Sequence, residues 1–259
     1  MKKLAIFDYH GTLLWALPAH EIAFSNTVNE VYKVRGSMHE VYFAASTIQG
    51  VTMAIAKFHG VPDRELKEKE HLILQTEEKH FARALELKPP KVLPGIPKLL
   101  ELLTKHGFVL AIYTGDSKKS IKILLKKTGL EKFFPDNLIV CASRPKPVAD
   151  RKTLLLEAIK KAEAVFGKLP KKSIFVFDDS VKGIQAGKEL RITTVGVGTG
   201  PDGIKKVRAS RPTYVFKDFD EAEKVVRAIL KSQQRKTILL REKIKKNKKY
   251  IKRNPGRRF

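Results

Sequence analysis

Short apolar runs that end in polar or glycine-rich residues recur along this chain and constrain its fold more than any other feature. They lie at residues 4–7, 108–113, 138–141, 174–177 and 193–197. Runs of this length that are apolar over most positions are typical of parallel strands covered on both faces of a sheet. Helical periodicity separates most of them. The sequence therefore predicts an α/β fold with a Rossmann-like, doubly wound parallel sheet.

One long block interrupts this alternation. Residues 15–90 show helical periodicity with little strand signal, and Pro89–Pro90 mark the return to strands. We expect residues 1–14 and 91–230 to form the α/β core, and 15–90 to form an inserted all-helical domain that caps it. Residues 231–259 are predicted to be a basic C-terminal extension.

The charge of the chain is strongly positive, at +25, and is concentrated at its end. Residues 231–259 contain 13 Lys and Arg and a single acid, Glu242. Such a segment attracts polyanions through counterion release, so binding of nucleic acid is one interpretation. The other is a solvated basic helix. Because it holds few aromatic residues, any nucleic-acid binding is expected to be independent of sequence.

The sequence shows neither a membrane-spanning segment nor a signal peptide. No apolar stretch approaches the roughly 20 residues of a membrane-spanning helix. Asp8 interrupts the apolar run near the start after four residues, which argues against a signal peptide. The single cysteine, Cys141, excludes an intramolecular disulfide and a cysteine-rich metal site. It is expected to be a small apolar residue within a strand. A reducing cytoplasm is the simplest prediction.

Polar side chains fall at or soon after the ends of the apolar runs. These residues are Asp8, Thr114, Lys146, Asp178 and Asp179. The carboxyl ends of parallel strands form the ligand crevice of an open sheet, so we expect these residues to meet there. Converging carboxylates repel one another unless a cation lies between them, and Mg²⁺ prefers such oxygen ligands. The set is therefore typical of phosphoryl transfer.

These residues resemble the four motifs of the haloacid dehalogenase superfamily. Residues 6–13 (Ile-Phe-Asp-Tyr-His-Gly-Thr-Leu) are similar to its first motif, Asp-x-Asp-Gly-Thr, and Thr114 is similar to the second. Lys146, between Pro145 and Pro147, resembles the third. Residues 178–184 (Asp-Asp-Ser-Val-Lys-Gly-Ile) resemble the fourth motif of the branch that contains β-phosphoglucomutase and phosphoglycolate phosphatase. That branch carries a helical cap between its first and second motifs.

The resemblance implies a role for each matching residue. Asp8 would attack phosphorus and become an aspartyl phosphate. Asp8 and Asp179 would bind Mg²⁺, with Asp178 in or beside the metal's ligand shell and the backbone carbonyl of His10 as a further ligand. Three groups would hold and neutralise the phosphoryl group: the Thr114 hydroxyl, the adjacent backbone N–H groups including that of Gly115, and the Lys146 ammonium.

His10 departs from the family pattern, which has a second aspartate at this position as the general acid and base. Histidine can take this role because its unperturbed pKa of about 6.5 lies near working pH. A degenerate, inactive site and a purely positional role remain alternatives. His20 and Trp15 lie near the start of the cap; contact with substrate is one interpretation of each, and packing at the hinge is the expected role.

Each of the other site residues also has a simpler interpretation. Asp8 could end a strand, and Asp178 and Asp179 could cap a helix, a position that Asp favours. Thr114 could be an ordinary cap at a strand-to-helix turn. Lys146 is one of 38 lysines in the chain.

The leading hypothesis is a Mg²⁺-dependent phosphatase that hydrolyses a small phosphomonoester. The replacement at His10 argues against a mutase, and the paired acids Asp178 and Asp179 argue against a dehalogenase. The alternative hypothesis is a catalytically weak relative that binds nucleic acid or ribosomes through residues 231–259.

Overall fold

The computed structural model describes residues 2–43, 46–147 and 150–231 and confirms the predicted α/β class. Six parallel strands form the main sheet, and two short antiparallel strands form a separate ribbon. The strands are β1 (Lys3–Phe7), β2 (Leu14–Trp15), β3 (Lys91–Val92), β4 (Phe108–Ser117), β5 (Ile139–Ser143), β6 (Ile174–Asp178), β7 (Thr193–Val197) and β8 (Tyr214–Phe216).

The order of strands in the main sheet is β5-β4-β1-β6-β7-β8. The chain first builds outward from β1 through β4 to β5, then returns to the other side of β1 with β6. This reversal places the carboxyl ends of β1 and β6 side by side, with Phe7 paired with Phe177. In open α/β sheets, a reversal of this kind opens the crevice in which ligands bind.

Helices follow most strands of the sheet. Their bounds are α1 (Leu17–Tyr32), α2 (Ile48–Phe58), α3 (Asp63–Leu87), α4 (Ile96–Lys105), α5 (Lys118–Thr128), α6 (Arg151–Phe166), α7 (Val181–Glu189), α8 (Gly203–Ala209) and α9 (222–231). The starts of two are fixed by serine caps: Ser117 accepts a hydrogen bond from Ser120 N, and Ser180 accepts one from Gly183 N.

Alternation of side chains along β1 builds two apolar cores, one on each face of the sheet. Ala5 and Phe7 belong to one core, and Leu4 and Ile6 belong to the other. All four side chains are fully buried. This is the arrangement that a continuously apolar strand predicts, because both faces of the sheet are covered by helices.

Helices α1, α2 and α3 lie between β2 and β3 in the chain and share a third apolar cluster, centred on residues such as Val28, Ile55 and Ile73. We propose that they form the cap expected for residues 15–90. The helical periodicity of this block does not extend unbroken through it. Helix α2 begins only at Ile48, because the Thr47 side chain accepts a hydrogen bond from Gly50 N and caps the helix there.

Strand β4 is longer than the apolar run that predicted it. It continues through Thr114 to Ser117, with an irregularity in its pairing to β5 between these residues. Ser117 pairs with Ser143, and the Ser143 hydroxyl donates to Gly115 O. Polar residues therefore extend the strand through hydrogen bonds rather than through apolar packing.

The basic extension lies outside the described residues except for Lys231, so the polyanion interpretation of 231–259 stays a prediction. No helix among the described residues combines the length and the apolar character that crossing a membrane requires. A cytoplasmic location stays a prediction as well.

Candidate active site

Strands β1, β4 and β6 bring the predicted acidic and hydroxyl residues to one edge of the sheet. Asp8 directly follows β1, Asp178 ends β6, and Thr114 lies near the end of β4. The Asp8 backbone N–H donates to Phe177 O at 2.9 Å, which fixes Asp8 beside the end of β6. The crevice expected from the strand ends is therefore formed by these residues.

Ligand oxygens of Asp8, Asp178 and Asp179 all lie within 4.8 Å of one another. Asp178 is held by donors of the protein: Ser180 donates to Oδ1 from its backbone N at 2.7 Å and its hydroxyl at 2.6 Å, and the Tyr113 hydroxyl donates to Oδ2. Thr12 donates to Asp179 Oδ1 at 2.8 Å. These bonds fix the orientation of the carboxylates before any ligand arrives.

The combined negative charge of Asp8, Asp178 and Asp179 exceeds the positive charge of the neighbouring Arg151. Burial raises the pKa of Asp8 to about 6, although Arg151 lowers it. Burial, together with the charges of Asp8 and Asp178, also raises the pKa of Asp179 well above its usual value. A divalent cation would remove this penalty, and an all-oxygen donor set suits Mg²⁺. The residues present therefore fit the predicted metal.

A loop after β7 packs directly on this cluster. A Cβ atom on Gly200 would lie 1.5 Å from Asp179 Oδ2, and the Thr199 hydroxyl donates to Gly11 O. Residues 198–200 (Gly-Thr-Gly) form a turn whose last residue packs against the Asp179 carboxylate. Only glycine allows the backbone to approach the carboxylate this closely.

The cation beside Asp8 is Arg151, which no sequence motif indicated. Arg151 Nη1 donates to Asp8 Oδ1 at 2.8 Å, and its guanidinium lies over the Tyr113 ring, 5.2 Å from the centroid. Arg151 is buried at the first position of α6. Lys146, predicted for this role, is exposed and is not among the residues that line the site cavity. Its part in phosphate binding stays a prediction.

Thr114 and Gly115 both line the cavity. Thr114 is buried, and its hydroxyl accepts a hydrogen bond from Asp116 N at 3.2 Å, so it also stabilises the turn of its own strand. A Cβ atom at Gly115 would lie 2.1 Å from Ser46 O, which explains the absence of a side chain where the cap segment meets β4. Their contact with phosphate stays a prediction.

His10 lies in a cluster with His20, Asp116 and Glu77. His10 Nε2 is 2.6 Å from Asp116 Oδ2 and 3.0 Å from His20 Nε2, while His20 Nδ1 is 3.2 Å from Glu77 Oε1. Burial alone would lower the pKa of His20, but Asp116 and Glu77 outweigh it and raise the pKa to about 10. The two histidines hold the pKa of Asp116 well below its usual range despite its burial. The side chain at position 10 thus faces a charged, buried network.

A cavity of about 90 Å³ joins the two clusters. The polar and charged residues that line it include Asp8, Asp179, Arg151, Thr114 and the cluster of His10, His20 and Asp116. The segment after β1 and the proposed cap contribute apolar side chains, namely Trp15, Leu17, Phe24, Met38, Phe43, Ile48 and Val51. Among the described lining residues, Arg151 is the only Lys or Arg. The space accommodates several water molecules or one small ligand.

Sequence reasoning missed three residues of this site. Arg151 begins a helix and has no motif around it, so only its position in the fold identifies it. Asp116 stands two residues after Thr114, and its polar character at a strand end was the available signal. His20 is not merely a packing residue at the hinge: it stacks on Phe81, with 4.0 Å between ring centroids, and also contacts His10.

Comparisons with known proteins agree with this geometry. A family model described as haloacid dehalogenase-like hydrolase matches residues 2–191. The phosphoglycolate phosphatase of Mannheimia succiniciproducens is 24% identical over 232 residues, which cover 86% of this chain and 98% of that protein. The corresponding protein of Haemophilus influenzae is 25% identical over 227 residues, covering 84% and 95%.

Solved structures show the same fold. A hydrolase from Pseudomonas syringae superposes with a TM-score of 0.67 at 20% identity, covering 88% of this chain and 99% of that one. β-Phosphoglucomutase from Clostridium difficile gives 0.65 at 17% identity, covering 90% and 99%. The motif order, the three converging carboxylates and the family match together show that this chain belongs to the haloacid dehalogenase-like hydrolases.

Proposed function

We propose that the protein is a phosphatase that hydrolyses a small phosphomonoester, with Asp8 as the nucleophile. The observation that carries this proposal is the convergence of Asp8, Asp178 and Asp179 at the junction of β1 and β6. The curated relatives, which are phosphoglycolate phosphatases, support the same class of reaction.

In the first step, an Asp8 carboxylate oxygen attacks phosphorus, forming an O–P bond as the bond to the substrate's alcohol oxygen breaks. His10 gives a proton to that departing oxygen. In the second step the oxygen of a water attacks phosphorus, the bond between phosphorus and the Asp8 oxygen breaks, and His10 takes a proton from the water, so that inorganic phosphate leaves and the Asp8 carboxylate is restored. An imidazole is suited to both transfers because it can donate a proton in one step and accept one in the next.

We propose that Mg²⁺ is held by Asp8 and Asp179, with Asp178 oriented beside them and the His10 carbonyl as a further ligand. Arg151 donates to Asp8 Oδ1 and Thr12 donates to Asp179 Oδ1, and ligand oxygens of both carboxylates lie within 4.8 Å of each other. When bound, the ion would neutralise negative charge on the carboxylates and the phosphoryl oxygens.

Arg151, Thr114 and the backbone N–H groups around Gly115 are proposed to orient the phosphoryl group. Arg151 is the strongest candidate because its guanidinium already contacts the nucleophile and presents several donors to anionic oxygens. Fixed donors of this kind, aimed at developing charge, are a major source of rate acceleration.

The cavity wall supports a substrate whose leaving group carries no charge. Apart from His20, the lining residues contributed by 15–51 are the apolar residues named above together with Ser46 and Thr47. A carboxylate on the leaving group would lose its hydration there, and the described cations that line the cavity, Arg151 and His20, are already paired with Asp8, Asp116 and Glu77. We therefore propose a compact, uncharged alcohol as the leaving group.

Two assays test the proposed function. Hydrolysis of p-nitrophenyl phosphate with Mg²⁺ should occur with the wild type and be lost in Asp8→Asn, while His10→Asp should retain more turnover than His10→Asn. In the second assay, phenyl phosphate should be preferred over 2-phosphoglycolate in kcat/KM. If Asp8→Asn turned over substrate as fast as the wild type, Asp8 would not be the nucleophile. A higher kcat/KM for 2-phosphoglycolate than for phenyl phosphate would rule out the preference for an uncharged leaving group.

A further inference from the structure

We propose that His10, His20 and Asp116 form a second metal site, separate from the three aspartates, that binds a divalent transition metal such as Zn²⁺, Mn²⁺ or Fe²⁺. Three potential ligand atoms meet there: Nε2 of each histidine and a carboxylate oxygen of Asp116. They lie within 4.8 Å of one another.

The spacing of these atoms is close to that of ligands around one ion, with the 2.6 Å hydrogen bond between His10 and Asp116 lengthening by about 0.4 Å when the ion binds. The two Nε2 atoms are 3.0 Å apart, and Asp116 oxygens are 2.6 Å from His10 Nε2 and 3.6 Å from His20 Nε2. Two donors each about 2.1 Å from one ion, at right angles, lie about 3 Å apart. Two imidazoles and a carboxylate with open positions suit these metals rather than Mg²⁺, which prefers oxygen.

The second imidazole nitrogen of His20 is held as it is in many metal sites. His20 Nδ1 lies 3.2 Å from Glu77 Oε1, and Glu77 is fully buried on α3. A carboxylate in this position fixes the tautomer and the orientation of a metal-binding histidine. The other oxygen, Glu77 Oε2, is buried and has no hydrogen-bond partner. The ring is also clamped by stacking between Phe24 and Phe81.

Charge favours a divalent cation at this position. Asp116 and Glu77 are two buried carboxylates, and the groups that face them among the described residues are the two imidazoles, of which His20 is protonated at neutral pH when no metal is bound. A divalent ion would displace this proton and supply the larger positive charge that offsets both carboxylates. His10, His20 and Asp116 all line the cavity, which gives an ion a route in and leaves space for water ligands.

The second metal site does not depend on the proposed function, but its expected effect on catalysis does. An ion bound to His10 Nε2 would prevent that nitrogen from carrying a proton between substrate and water. Transition-metal binding should therefore inhibit a phosphatase that is supplied with Mg²⁺.

The test measures metal binding directly, so it does not depend on activity. Untagged wild-type protein saturated with Mg²⁺ is titrated with Co²⁺ by calorimetry and visible absorption, and its Zn²⁺ form is examined by X-ray absorption spectroscopy. We expect one tight Co²⁺ equivalent and a Zn²⁺ ligand shell that contains two imidazoles. Absence of tight binding, or a shell without two imidazoles, would overturn the proposal without affecting the assignment of Asp8.

Variants localise the ion. His20→Gln and Asp116→Asn should each weaken Co²⁺ binding by more than about tenfold, and Glu77→Gln should weaken it by about 10–100-fold. His80→Gln is the matched control, because His80 pairs with a carboxylate, Glu30, at 2.7 Å but outside the cavity. Wild-type affinity in the folded His20→Gln and Asp116→Asn proteins, checked by circular dichroism, would place the ion elsewhere and overturn the proposal.

Discussion

Arg151 Nη1 donates a hydrogen bond of 2.8 Å to Asp8 Oδ1, across 143 residues of sequence. Both residues are buried, at 7% exposure each. A buried carboxylate and a buried guanidinium each lose hydration, so each depends on the other. The contact therefore joins the start of α6 to the end of β1 and sets the position of the proposed nucleophile.

This contact predicts different effects for the two cations considered for the site. Arg151→Ala should lower kcat by about 10²–10³-fold, because a donor aimed at the transferring group is lost. Lys146→Ala, which removes an exposed side chain, should lower kcat by less than about tenfold. Steady-state kinetics with p-nitrophenyl phosphate measures both. A larger loss in Lys146→Ala would show that Lys146 reaches the phosphoryl group when substrate binds.

Metal should stabilise the fold through the three aspartates. At about 100 times its Kd, Mg²⁺ should add about 2.7 kcal/mol to the free energy of unfolding of the wild type relative to EDTA. Asp179→Asn should lose most of this increment. In EDTA, the melting temperature of Asp179→Asn should be higher than that of the wild type. The substitution removes a buried carboxyl group whose ionisation is opposed by burial and by the charges of Asp8 and Asp178.

Thermal melts with and without Mg²⁺ check this expectation. Glu101→Gln, a change at an exposed acid on α4, should respond to Mg²⁺ as the wild type does. An undiminished Mg²⁺ increment in Asp179→Asn would show that this carboxylate does not bind the metal.

The close approach of the loop after β7 should make Gly200 intolerant of a side chain. The Cβ atom of Gly200→Ala would lie 1.5 Å from Asp179 Oδ2, so the loop or the carboxylate must move. We expect a loss of about 1–3 kcal/mol in unfolding free energy and weaker Mg²⁺ binding. Urea denaturation and Mg²⁺ titration measure the two effects.

A glycine in helix α2 provides the comparison for Gly200. In Gly50→Ala the new Cβ would meet one neighbour, Thr47 Oγ1, at 3.0 Å, and alanine favours a helix. Its unfolding free energy should change by less than about 1 kcal/mol. If both variants behaved alike, the contact with Asp179 would not be the cause.

Cys141 should react slowly with thiol reagents in the folded protein. Its side chain is partly buried in β5, and burial, together with Asp116, raises the pKa of its thiol to about 12. Since the thiolate is the reactive form, little of it exists at pH 8. Ellman's reagent should therefore modify the native protein much more slowly than the urea-unfolded chain. Equal rates would mean that the strand exposes Cys141.

The sequence predicted the fold class and the acidic cluster because both follow from local patterns. Apolar runs such as 174–177 are strands in nearly any context that buries both faces, and a parallel sheet brings their carboxyl ends to one edge. Asp8, Asp178 and Asp179 met there as expected. The boundaries of the proposed cap and the phosphate contacts of Thr114, Gly115 and Lys146 stay predictions.

What the sequence could not predict depends on side chains that no local pattern connects. Asp116 lies beyond the apolar run at 108–113 that predicted a strand, yet it belongs to β4 in the structure. The pairing and hydrogen bonding of Ser143 extend β4 beyond that apolar run. His20 had the pattern of an ordinary helical residue, and its contact with His10 arises only from the way α1 packs beside the residues that follow β1.

By itself, the sequence determined the alternation of strands and helices, the haloacid dehalogenase motifs and the crevice where its acids converge. Those properties depend on periodicity and on residue order along single elements. The tertiary structure alone decided that Arg151 contacts Asp8 and that His10, His20 and Asp116 share one pocket. Such contacts join residues far apart in sequence, and their geometry is fixed by how buried elements pack against one another rather than by any single segment.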